Sequence, residues 1–152
     1  MMALGIALHA LAAAFWVGGM AFAYMILRPS VGELAGPDRL RLWERVFSRF
    51  LPLVWLSVAL LLLSGYWGLF GYYGGFAASP VHLHIMHLTG WLMFLLFFHL
   101  WFAPWKRFRA AVAANRFDDA AAALAGIRRT VALNLALGTF TIAVGASGRF
   151  WP

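Results

Sequence analysis

One run, PVHLHIMHLTGWLMFLLFFHLWFAP from Pro80 to Pro104, limits what this chain can become more than any other stretch. It is long and apolar enough to cross a lipid bilayer, which takes about 20 residues of helix. Yet it carries four of the five histidines in the protein, His82, His84, His87 and His99. In hydrocarbon an imidazole finds no hydrogen-bonding partner, so each ring must face a bundle interior, a cavity or a bound group. His84 and His87 stand three apart and lie within roughly 60° of each other on one helix face, while His82 points elsewhere.

Composition places this run among others like it. Of 152 residues, 64% are hydrophobic and only 11% are charged, whereas a soluble domain is about a quarter charged. The chain reads as an all-α polytopic membrane protein, a single integral domain over residues 1–152. The apolar segments predict four transmembrane helices at about 3–27, 50–70, 81–104 and 130–147, with an amphipathic interfacial helix at about 38–49. Arg28-Pro29 closes the first helix, because proline stops it and arginine snorkels to the interface. The N-terminus lacks the basic segment of a cleaved leader, so the first apolar run is expected to stay as helix 1. The absence of cysteine excludes disulfides, thiolate metal sites and cysteine-ligated iron–sulfur clusters.

The net charge of +7 does not point to nucleic acid, because the basic residues are sorted. Eleven of the twelve Lys and Arg lie in two loops, Arg28 to Arg49 and Lys106 to Arg129, and only Arg149 lies elsewhere. The positive-inside rule makes both loops cytoplasmic. The expected topology is an up-down four-helix bundle in a bacterial inner membrane, with both termini and the uncharged turn near Tyr72–Pro80 on the periplasmic side.

With that topology His9 lies roughly 8–9 Å, and His87 roughly 9–10 Å, below the periplasmic helix ends at 1.5 Å per residue. The two are therefore expected to be level, on diagonal helices. Bis-histidine ligation of haem b needs such a pair, small residues to admit the macrocycle, aromatic walls, and a cation for the propionates. Candidates are His9 with His87 (or His84 if the register is one turn off), the small residues Ala10, Ala12, Ala13, Ala14, Gly18 and Gly19, the walls Trp16 and Trp91, and Arg149. That site implies electron transfer or haem-dependent oxidoreductase chemistry, with quinone or a periplasmic redox protein as partner. The alternative is copper, held by His82, His84, His87 and His9 with Met86 or Met20, since imidazole and thioether both suit copper. The third reading makes the histidines hydrogen-bonded core or interfacial residues. His99, near the cytoplasmic end, has only Asn134 as a candidate partner. A homodimer, or a subunit of a larger membrane complex, fits the small size and the Trp- and Phe-rich helix faces.

The segment ALHALAAAFWVGGMAFAYMILRP resembles the first helix of the CopD-like copper-resistance membrane proteins, which opens on a histidine followed by small residues and Trp-x-Gly-Gly. RRTVALNLALGTFTIAV is similar to the last helix of that family. The four-helix pattern also resembles the HemJ-type protoporphyrinogen oxidases, and that resemblance implies a haem b role for His9. Both relatives tend to carry a lysine near the start of helix 3. Here the only lysine is Lys106, and His84 or His87 stands in its place.

Overall fold

The computed structural model describes residues 2–151, and for Met2 and Arg149 the backbone only. Four helices are long and apolar enough to cross a membrane: α1 (Ala3–Ser30), α2 (Gly36–Gly71), α3 (Val81–Ala113) and α4 (Phe117–Ser147). Large apolar side chains such as Leu11, Leu63, Leu95 and Leu133 cover their outward faces, as lipid contact requires. The protein is an all-α, multi-pass membrane protein. One end of the bundle carries the two basic loops and is called here the basic end. The other carries the termini, the Tyr72–Pro80 turn and most of the histidines.

The separate interfacial helix expected at about 38–49 and the crossing expected at about 50–70 are one helix, α2, of 36 residues. At 1.5 Å per residue it spans about 54 Å, well beyond the ~30 Å hydrocarbon core. The reason lies in its buried stripe. Leu40, Trp43, Phe47, Leu51, Val54 and Val58 recur at three- and four-residue steps straight across the expected break, so packing holds both halves on one axis. Pro52 sits inside this helix, where its ring removes one backbone donor without ending the element.

α4 likewise starts earlier than the expected residue 130, at Phe117. Asp118 and Asp119 lie in its first turn, where carboxylates offset the positive end of the helix dipole. Asn115 reverses the chain just before it with φ 54°, a left-handed conformation that asparagine tolerates. α1 and α3 each contain a widened π turn, at Phe22–Leu27 and Trp101–Trp105. Pro29 follows the first closely and Pro104 lies within the second. A proline clashes with the carbonyl one turn back, and widening the helix relieves the clash.

The buried core runs into the basic end. The overhanging parts of α2, α3 and α4 enclose Trp43, Phe47, Trp105 and Phe108, with Ala111, Ala120 and Leu124 filling between them. α1 packs along α2, and α3 along α4. Between these two hairpins rings fill the space: Trp55 meets Phe97, Phe98 and Trp101 edge-on at centroid distances of 5.1, 4.8 and 5.9 Å. The Tyr72–Pro80 turn depends on Gly74 and Gly75 at φ 75° and 111°, values that a side chain disfavours.

Candidate functional site

α3 begins at Val81, after Pro80 in an extended conformation. Its first two turns present two faces. His82 and Met86, four residues apart, face the end of α4. A Cβ at Gly145 would lie 2.8 Å from the Met86 methyl and 3.1 Å from its sulfur, and one at Gly148 would overlap the His82 ring. These two glycines therefore make room for the imidazole and the thioether, as small residues do where helices approach closely. Trp151 stands edge-on to His82 at 6.3 Å.

The second face turns toward α2 and the connecting turn. His87 is enclosed edge-on by Phe76, Tyr66 and Trp91 at 4.9, 5.5 and 6.4 Å. The Trp91 indole donates to the Tyr66 hydroxyl at 3.3 Å. His84 is exposed, 6.1 Å from Phe76.

His9 belongs to the opposite hairpin. Its Nδ1 is 2.9 Å from the Ser64 hydroxyl, and a Cβ at Gly65 would touch its ring at 3.1 Å. Ser64 donates its single proton to the Leu60 carbonyl. It must therefore accept from His9, which fixes the hydrogen on Nδ1 and leaves Nε2 as a lone-pair donor. That is the tautomer a metal-binding imidazole uses when an outer group holds its other nitrogen.

The structure thus distributes the expected site residues. His9 meets α2 at Ser64 and Gly65, and His87 meets it at Tyr66. Both rings lie against the same turn of α2, from different sides. Trp16 is a core residue, 2% exposed, stacked on Phe94 at 5.9 Å. Trp91 joins it through Phe94, edge-on at 5.7 Å. Of the small residues expected to admit a ligand, Ala12 is buried in the core, Gly19 is filled by Phe50 and Gly18 faces open space. Met20 is likewise buried. His99 is exposed, and Asn134 donates instead to the Met93 carbonyl at 3.3 Å. The side chain of Arg149, expected beside haem propionates, lies outside the described residues. Among the described residues no three His, Asp or Glu side chains converge as a metal cluster.

Ser64, Tyr66, Phe76, Gly145 and Gly148 are absent from the sequence-based candidates. Ser64-Gly65 in the apolar run LLLLSGYWGLF was a visible signal, since a hydroxyl in such a run calls for a partner. The glycines gave none without their neighbour across the helix pair.

No curated protein and no solved structure matches the chain. The family described as CopD, copper resistance protein D, matches residues 44–147, from within α2 to the end of α4. That span holds His82, His84, Met86 and His87 but not the His9 segment. The description of the family names copper and not haem. With the matching span covering most of its length and four crossing helices around it, the chain belongs to the copper resistance protein D family.

Proposed function

We propose that this chain is a copper-handling protein of the bacterial cytoplasmic membrane, with the histidine-bearing end on the periplasmic side. There it takes copper as cargo through imidazole and thioether ligands. The observation that carries this reading is the pairing of His82 with Met86 on one face of α3, in a copper resistance family chain. A soft thioether beside an imidazole suits the cuprous ion, which accepts few ligands. His87 and His84, on the adjoining face, offer the next imidazoles. A two-ligand site with further ligands nearby suits an ion that must leave again, as transport or resistance requires. The sorting of basic residues supports the orientation.

The test is metal analysis and an absorption spectrum of protein purified from haem-replete cells and loaded anaerobically with Cu(I). We expect bound copper, no Soret band, and loss of most of the copper in the double variant His82→Ala, Met86→Leu. Stoichiometric haem without copper would reverse the reading.

A further inference from the structure

The basic end holds a feature that copper does not explain. A narrow crevice runs between α1 and α4 and is floored by α2, with apolar walls that include Met20, Phe47, Leu51, Ile127 and Val131. The surface it opens is apolar, and the polar groups behind its walls and at its rim are almost all donors. The Trp43 indole lines it, in a residue only 3% exposed, and its Nε1 has no hydrogen-bond partner. Arg128 lines it too, and its buried Nε is likewise unpaired. Arg28 stands at the rim with its guanidinium 5.1 Å from the Tyr24 ring. Arg39 is close enough to act on the charge of Arg128, as is Arg28.

The ion pairs at this end, Arg41–Asp38, Arg109–Glu44 and Arg116–Asp119, leave Arg28, Arg39 and Arg128 without a carboxylate among the described residues. Arg28 and Arg128 at one opening, with Arg39 nearby, repel one another, and two buried N–H groups lack acceptors. A single group carrying negative charge and several acceptor oxygens would relieve both costs. The apolar walls require that it come attached to hydrocarbon.

We propose that an anionic phospholipid seats here, with one acyl chain along the apolar walls of the crevice and its phosphate at the rim beside Arg28 and Arg128. Guanidinium suits phosphate because its planar fork bonds two oxygens at once. Basic pockets between crossing helices on the cytoplasmic side meet the leaflet richest in anionic headgroups.

The experiment is native mass spectrometry of the intact protein in nanodiscs of mixed phosphatidylglycerol and phosphatidylcholine. We expect one phosphatidylglycerol to be retained in preference to phosphatidylcholine. Arg128→Gln should weaken that retention about tenfold, the effect of one lost charge-assisted bond. Arg129→Gln, exposed and one residue away, should leave it unchanged. Should Arg128→Gln fail to fold, Arg28→Gln at the exposed rim decides, with the same weakening expected. Equal retention of both lipids, or unchanged retention in the Arg28 and Arg128 variants, would overturn the proposal. So would inorganic phosphate occupying the site while no lipid is retained.

Discussion

The bond between His9 and Ser64 sets the imidazole tautomer from outside the ring, and it is open to direct measurement. In Ser64→Ala the Nδ1 hydrogen loses its hydroxyl acceptor. Polar contacts between membrane helices are worth ~0.6 kcal/mol on average and at most ~1.7. A loss of stability in that range is expected in detergent melts, with a change in the His9 tautomer seen by nitrogen NMR. A wild-type tautomer in the variant would show that Ser64 does not fix it. Two glycines give a paired prediction. A Cβ at Gly138 would lie 2.6 Å from a methyl of Val17 and 3.0 Å from that of Met93, whereas one at Gly18 meets nothing within 4 Å. Val17 is β-branched and cannot swing away. Gly138→Ala should therefore cost about 1–3 kcal/mol by overpacking. Gly18→Ala should be neutral or stabilise by up to about 1 kcal/mol through helix propensity. The sequence shows both as glycines in apolar helices, and only the neighbouring helix distinguishes them.

Among the elements, α2 shows what a sequence can and cannot reveal. Its apolar stripe was legible, since Leu40, Trp43 and Phe47 lie at helical spacing. That the stripe continues through Pro52 was not, because proline near an expected interface reads equally well as a first-turn residue. The crossing helices were found because about 20 apolar residues have few other solutions in water or lipid. The histidines were found for the same reason. Their partners were not, since which face of α3 meets α2 and which meets α4 depends on helix rotation, and the apolar residues surround α3 almost evenly. Asn134 tests this interface. Its amide donates to the Met93 carbonyl, while its own oxygen is buried without a partner. Gain and cost nearly offset, so Asn134→Leu should change stability by less than about 1 kcal/mol. A larger loss in a thermal melt would mean that the oxygen is satisfied by a bound water.

For the whole molecule, the basic end is the anchor of the fold. Phe108 is fully buried there, whereas Phe140 on the outer face of α4 is 52% exposed. Phe108→Ala should cost about 3–5 kcal/mol, and Phe140→Ala little, when unfolding is followed in detergent. Orientation can be measured on a background that nature supplies free of cysteine. Ala77→Cys, exposed in the turn near the histidines, should react in intact spheroplasts with a maleimide that cannot cross membranes. Ala114→Cys, exposed in the second basic loop, should react only after lysis. The opposite pattern would put the histidines in the cytoplasm and remove the periplasmic part of the functional reading.

The uncharged turn between the two helical hairpins also bears on how the protein is made. In the proposed orientation, as the ribosome delivers the chain, α1 and α2 emerge with arginines at the ends that stay behind and no charge on the segment from Tyr72 to Pro80. Moving that segment across the bilayer requires no ionised side chain to shed its water, and the next basic loop then retains the far ends of α3 and α4. Each hairpin finds its main packing partner within itself, so the translocon can release the chain in two steps. The rings of Trp55, Phe97, Phe98 and Trp101 form the seam between the two hairpins. A charge introduced at Ala77, harmless to the finished fold at so exposed a position, should therefore act during synthesis and lower the yield of inserted protein.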